Sequence, residues 1–225
     1  MMTPRVAAIH DMSGFGRCSL TVAIPILSAM GVQCCPLPTA FLSTHTGGFE
    51  GFTFLDMTDE MSKVADHWAS LGLTFQAVYS GFLGSERQIG VVENFICRFR
   101  GPDTVVVVDP VMVATSGAKL LRDDAVEALC RELLPLAAVL TPNIPEAEIL
   151  SGMTITDATG MEAAAKYISE KYGCAVLCKG GHKVNDADDL LWRNGFGKWF
   201  HGKRIDNPNT HGTGCTLSSA IASNL

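Results

Sequence analysis

A cysteine that follows two glycines and precedes a run of small residues has the makings of a base or nucleophile at a helix start. The stretch from Asn207 to Ala220 holds such an arrangement, Thr210-His211-Gly212-Thr213-Gly214-Cys215-Thr216-Leu217-Ser218. Gly212 and Gly214 allow close approach of the backbone to a ligand and positive φ. The hydroxyls of Thr216, Ser218 and Ser219 are expected to satisfy free N–H groups of the first helical turn. A loop of this kind offers N–H donors and a positive dipole end to an anion. Cys215 sits in that field, which favours its thiolate. The same residues also suit an ordinary glycine turn before a core helix.

Three further polar groups close apolar runs and bear on that choice. Asp109 follows Thr104–Val108, Asn143 and Glu146 follow Ala137–Thr141, and Lys179-Gly180-Gly181-His182 follows Cys174–Cys178. Each carboxylate alone also reads as a helix cap or a surface acid. Together, an anion nest, one or two carboxylates suited to Mg2+ and a helix-terminal base point to phosphoryl transfer. Gly195-Phe196-Gly197-Lys198 lacks the spacing and following hydroxyl of a Walker A loop, so another loop would hold nucleotide phosphates. Gly14-Phe15-Gly16 hints at dinucleotide binding, but Ser19 stands where a third glycine belongs and no ribose-binding acid follows the next strand.

The elements that must carry these groups alternate. Val6–Ile9 reads as a buried strand, followed by a glycine loop and a helix from about Cys18 to Met30. Leu20, Ile24, Leu27 and Met30 would share that helix's inner face, with a kink at Pro25. Val32–Leu37 is the second strand, and Ser43–Gly51 is a long glycine-rich loop bearing His45 and Thr46. Thr58 is expected to cap a helix to about Leu71, and Phe75–Tyr79 is the next strand. Ser85 would cap a helix that turns Ile89, Val92, Phe95, Ile96 and Phe99 inward. The β-branched run at Thr104–Val108 suits a central parallel strand buried on both faces. A helix follows from Asp123 to Leu134, then strand Ala137–Thr141, a helix from about Met161 to Lys171, and strand Cys174–Cys178. Asn194-Gly195 marks a hairpin between Leu190–Trp192 and Trp199–Phe200. The expectation is an α/β fold: a three-layer, doubly wound, mostly parallel sheet with a small β-hairpin excursion, forming one domain over 1–225.

The chain has 225 residues, 47% of them hydrophobic and 18% charged, enough for a substantial core. A formal net charge of -6 argues against a nucleic-acid surface, yet leaves room for a local phosphate nest. Eight cysteines carry no C-x-x-C pair or zinc spacing, and several lie in apolar runs as small core residues of a reducing compartment would. No apolar run approaches membrane-spanning length and none forms a signal peptide, so a cytoplasmic location without membrane partners is expected.

Asp109-Pro110-Val111-Met112, Thr141-Pro142-Asn143-Ile144-Pro145-Glu146-Ala147, Lys179-Gly180-Gly181-His182 and the Thr210–Ser218 loop together resemble the vitamin kinase branch of the ribokinase superfamily. That branch holds pyridoxal kinases and hydroxymethylpyrimidine (phosphate) kinases. The second half of the chain is similar to both. Phe41-Leu42-Ser43-Thr44-His45-Thr46-Gly47 resembles the substrate loop of pyridoxal kinases, and Ser80-Gly81-Phe82 falls where they carry Gly-Tyr. His10-Asp11-Met12-Ser13-Gly14-Phe15-Gly16-Arg17 matches only in part the Asp-Pro-Ser-Gly-Gly-Ala-Gly of the pyrimidine kinases. On these motifs a B6 vitamer is favoured as substrate, with hydroxymethylpyrimidine or its phosphate as the alternative and a non-catalytic vitamer-binding protein as a third reading.

The resemblance implies ribokinase-like architecture, ATP and Mg2+ as cofactors, and a homodimer. It implies that Asp11, His45 and Thr46 hydrogen-bond the heterocycle while Phe82 and Val111 pack against its faces. Asp109 and Glu146 would organise Mg2+ through water, with Asn143 beside the triphosphate and Lys179, Gly181, Thr210 and Thr213 around the nucleotide phosphates. Backbone N–H groups from Gly212 through Gly214 to Cys215 would hold the γ-phosphate, and Cys215 would accept the proton of the substrate hydroxymethyl. Kinases of this branch continue for several helices past this loop, so the end of the chain at Leu225 reads as a C-terminal truncation.

Overall fold

The unbroken valine run sits mid-sheet because each of its residues has an apolar layer to enter. The structure, a computed structural model, describes residues 3–113, 119–180, 187–203, 205 and 211–224. Its first half runs β1 (Arg5–Ser13), α1 (Ser19–Ala29), β2 (Gln33–Leu42), β3 (Phe54–Asp56), α2 (Thr58–Ser70), β4 (Ala77–Ser80) and α3 (Glu86–Phe99). Then come β5 (Val105–Val108), α4 (Asp123–Ala128), β6 (Val139–Leu140), α5 (Ile144–Ser151), α6 (Ala158–Tyr172) and β7 (Ala175–Cys178). The hairpin β8 (Asp189–Arg193) and β9 (Phe196–Phe200) leads to α7 (Thr213–Ser223).

These strands form one nine-stranded sheet in the order β3-β2-β1-β4-β5-β6-β7-β8-β9. From β2 to β7 the neighbours are parallel, and β3, β8 and β9 add antiparallel edges. Side chains alternate across the sheet as strand geometry demands. Ala7, Ile9, Val78, Val106 and Val108 enter a layer shared with α2, α3, α4 and α6, whereas Val6, Ala8, Tyr79 and Val107 face α1 and α7. The expected three-layer, doubly wound α/β architecture is present, and Asn194 takes φ 52° in the hairpin turn. Strand order reverses between β1 and β4, where an open sheet of this kind leaves a crevice at its strand C-termini.

Several local expectations change. The second strand runs on to Leu42 and gains the short partner β3, whose residues are exposed and carry no burial pattern. Thr58 begins α2 but does not cap it; Asp56 Oδ1 accepts from the Thr58 amide at 2.7 Å. In α1, Ala23 is buried where Met30 was expected to be, and Met30 is exposed. The helix after Asp123 keeps α geometry only to Ala128, then widens into a π turn and a 3-10 turn ending at Leu136. The polar segment after β6 is α5, capped reciprocally by Asn143 and Glu146. All eight cysteines are free, and burial pushes the Cys34 and Cys178 thiols up to about 12, as suits inert core positions.

Candidate active site at the C-terminal edge of the sheet

Two helix starts and four strand ends meet beside the point where strand order reverses. Gly212 precedes α7 with φ 87°, and a Cβ there would lie 1.9 Å from the Arg17 carbonyl oxygen. Only glycine allows that turn to press against the loop after β1. The first turn of α7 therefore carries Cys215 over the end of β1, with its Sγ 3.7 Å from His10 Nε2. The α7 hydroxyls do not cap as expected. Thr216 Oγ1 donates back to the Gly212 carbonyl and Ser219 Oγ to that of Cys215. Ser218 Oγ reaches instead to Asp109 Oδ2 at 3.2 Å and to Thr141 Oγ1 at 3.0 Å, tying α7 to the ends of β5 and β6.

Asp109 Oδ1 accepts from Lys179 Nζ at 2.8 Å; the carboxylate is buried and the lysine side chain is largely covered. Burial alone would push the lysine ammonium down, but Asp109 and then Glu146 outweigh it and raise it. A Cβ at Gly214 would lie 3.4 Å from Lys179 Nζ, so the charged pair stands directly against the start of α7. Glu146 Oε1 accepts from the Met112 amide at 3.1 Å and Oε2 from the Asn143 amide at 2.9 Å. Burial pushes its carboxyl up to about 7 against the pull of Lys179, with Asp109 adding to the rise. Asn143 spends its side chain on the Glu146 amide and the Val113 carbonyl. It is thus a structural bracket between α5 and the segment after β5.

No group of three His, Cys, Asp or Glu side chains among the described residues is arranged to hold a metal ion directly. Asp109 and Glu146 are hard oxygen donors already bonded to protein groups, a set that fits Mg2+ retained through its own waters and substrate phosphates. They do not form a closed cage.

On the other side of the crevice, His45 stacks on His211 with centroids 4.1 Å apart and meets Phe49 edge-on at 4.9 Å. The long polar loop is thereby brought to the residue that introduces Gly212. Thr46 is exposed on this loop, and Phe82 and Val111 are half-buried after β4 and β5. Asp11, expected at the heterocycle, is buried at the same edge and engaged by protein groups. Its Oδ1 lies 2.7 Å from His10 Nδ1 and accepts from Ser19 Oγ at 2.6 Å. Gly181 and Thr210, expected at the nucleotide phosphates, lie outside the described residues.

Sequence reading assigned no role to His10, whose only local signal is an imidazole and a carboxylate adjacent at a strand end. The described residues bring His10, Asp11, Asp109, Lys179 and Cys215 to one edge, and His45 to its rim.

Residues 24–225 match the family model described as phosphomethylpyrimidine kinase. The chain belongs to that family. The hydroxymethylpyrimidine/phosphomethylpyrimidine kinase of Rhizobium meliloti (strain 1021) is 37% identical over 226 residues, covering 100% of this chain and 83% of the relative. A crystal structure from Bacteroides thetaiotaomicron, named for phosphomethylpyrimidine kinase and obtained in a form with pyridoxal, is 37% identical with a TM-score of 0.85. It covers 99% of this chain, which spans 80% of it. An ADP complex of Bacillus subtilis pyridoxal kinase is 26% identical with a TM-score of 0.87, covering 99% of this chain and 84% of its own. The family's fold is the ribokinase-like one expected, and the family's activity is phosphoryl transfer to an alcohol acceptor. No helix among the described residues is long and apolar enough to cross a membrane.

Proposed function

We propose that this chain transfers the γ-phosphoryl group of ATP to hydroxymethylpyrimidine or its monophosphate. The names of its relatives favour the pyrimidine over the B6 vitamer that the first-half motifs favoured. The observation that carries the chemistry is Cys215 in the first turn of α7, beside the buried Lys179–Asp109 pair.

With hydroxymethylpyrimidine as acceptor, the Cys215 thiolate takes the hydroxymethyl proton as the oxygen attacks the γ-phosphorus, a general-base step; with the monophosphate the attacking oxygen is an ionised phosphate oxygen and needs no base. The N–H groups of Gly212, Thr213, Gly214 and Cys215 face the transferring phosphoryl and stabilise the charge that develops on it. Lys179 supplies a fixed positive charge to the same phosphates, while Ser218 and Asp109 hold it in place. Gly181 and Thr210 are assigned to the same phosphates from their sequence motifs alone. Asp109 and Glu146 would hold Mg2+ through water, and the ion would supply neutralisation of the phosphate charge. His45 and Thr46 take the polar edge of the heterocycle, with Phe82 and Val111 against its faces.

A B6 vitamer remains a second reading, supported by the form with pyridoxal of the 37% identical neighbour. Hydroxymethylpyrimidine and the B6 vitamers each present a hydroxymethyl group on a flat nitrogen heterocycle. ADP release measured in parallel with hydroxymethylpyrimidine, its phosphate, pyridoxal and pyridoxamine separates them. Turnover of the pyrimidines alone is expected. Turnover of the B6 vitamers alone would move the assignment to the second reading, and no ADP above background with any of the four would remove the kinase reading.

A further inference from the structure

The His10 imidazole is 2% exposed and touches the reacting end of α7, yet phosphoryl transfer as described above makes no use of it. Its Nδ1 lies 2.7 Å from Asp11 Oδ1. A bare ring nitrogen and a carboxylate oxygen would repel at that distance, so Nδ1 carries the proton and donates it. The amides of Asp11 and Phe82 approach the same nitrogen at 3.0 and 3.3 Å, but accepting from them would need the lone pair that the shorter carboxylate contact rules out. Asp11 is itself held as an acceptor, by Ser19 Oγ on Oδ1 and by Ser13 Oγ at 3.4 Å on Oδ2. The ring packs directly against the Gly81 backbone, in space that only glycine leaves open: a Cβ there would be 2.0 Å from Cδ2. With Nδ1–H turned to Asp11, the Nε2 lone pair faces Cys215 Sγ at 3.7 Å, within reach of a sulfur hydrogen bond.

We infer that Asp11, His10 and Cys215 form a proton relay in which His10 is the positioning residue that keeps Cys215 a thiolate. This rests on the reading of Cys215 as the base. The Cys215 proton moves to His10 Nε2, giving a thiolate beside an imidazolium, while the Nδ1 proton stays on the Asp11 side. In turnover the hydroxymethyl proton moves to Sγ, the oxygen–γ-phosphorus bond forms, and the bond from γ-phosphorus to the β,γ-bridging oxygen breaks with its electron pair leaving on ADP. Loss of the Sγ proton to solvent restores the ion pair.

The electrostatics agree with the geometry. Burial pushes His10 down, but the Cys215 charge and the hydrogen bonds to Asp11 and Cys215 overcome it and raise it to about 10. Other titratable groups face the relay from each neighbouring element. Tyr79 of β4 meets the ring edge-on at 6.1 Å, Cys18 at the start of α1 donates to Ser13, and His211 precedes α7. Lys179, paired with Asp109, is a second cation acting on the same thiolate. A test must therefore separate His10 from Lys179.

Iodoacetamide alkylation of Cys215, resolved by peptide mass spectrometry across pH, reads the thiolate without any turnover. In the wild type the reactive form is expected to persist to lower pH than in a variant lacking the imidazole. In His10→Gln, with Lys179 intact, the midpoint should rise toward the ordinary thiol value of ~8.5 and the rate at neutral pH should fall about tenfold. Asp11→Asn should shift the midpoint in the same direction by less. An unchanged midpoint in folded His10→Gln overturns the relay. Should that variant not fold, 15N NMR of the histidines needs no change at position 10: removing the thiolate by Cys215→Ala should lower the His10 titration midpoint, and an unmoved midpoint overturns the relay equally. The two levels fail separately. A Cys215→Ala enzyme with undiminished kcat removes the base while a shifted alkylation midpoint preserves the pairing; a lost kcat with no dependence of the midpoint on His10 does the reverse.

Discussion

His10 Nδ1 lies 2.7 Å from Oδ1 of Asp11, its neighbour in the chain, although successive residues of a strand ordinarily face opposite sides of a sheet. The register explains the contact. Between His10 and Met12 the partner strand advances from Pro38 to Phe41, an irregularity of the kind that re-aims side chains next to active sites.

Cys215→Ala removes the proposed proton acceptor while leaving the α7 backbone in place. The kcat of phosphoryl transfer is expected to fall by roughly 10²–10⁴, the usual contribution of a positioned base. Steady-state kinetics at saturating ATP measures this, and a rate near that of the wild type would take Cys215 out of the mechanism.

His10 binds its proton more tightly when folded than when unfolded, since its pKa rises from 6.5 to about 10. The stability this contributes is complete below pH 6.5 and is lost as pH climbs through about 10. Urea unfolding at a series of pH values should show that decline in the wild type and a flatter profile in His10→Gln. Identical slopes would show that the proton is not held.

Lys179→Met leaves the Asp109 carboxylate buried with only a hydroxyl opposite it. Breaking one side of a buried pair costs about 3–5 kcal/mol, whereas replacing both sides with apolar groups costs much less. Lys179→Met is thus expected to be markedly less stable to urea than Lys179→Met/Asp109→Leu. Equal stability of the two variants would mean that the pair is screened by solvent.

Gly212→Ala places a methyl group against the Arg17 carbonyl at a backbone angle that L-residues avoid. The left-handed conformation alone costs about 1–2 kcal/mol, before the collision is relieved by displacing the loop after β1. Thermal melting should show the loss of stability, and kcat should fall further than the folded fraction accounts for. A variant with wild-type melting and kcat would show that the turn tolerates a side chain.

The elements set by neighbouring residues were legible in the sequence. Ser85 caps α3, Ile89 through Phe99 turn inward, the valine run crosses mid-sheet, and Asn194-Gly195 turns the hairpin. The elements that depend on distant partners were not. β3 is an exposed three-residue strand that exists because β2 runs past the expected end at Leu37. The Asn143–Glu146 spacing reads as a polar group bearing a carboxylate, yet its reciprocal cap also starts α5. At the candidate site, the loop glycines, Asp109 and Lys179 stood out by type and by their places after apolar runs. His10 did not, because its sulfur partner is 205 positions away and only the fold brings the two together.

The space beside β4 that the His10 ring fills at Gly81 carries a consequence for sequence change. Occupancy at the two positions is mutually exclusive: an imidazole at 10 requires a bare backbone at 81, and a methyl at 81 requires something smaller at 10. Gly81→Ala should be deleterious alone and tolerated after His10→Ser, so the order of the two substitutions decides whether a lineage or an engineered library passes through a folded intermediate.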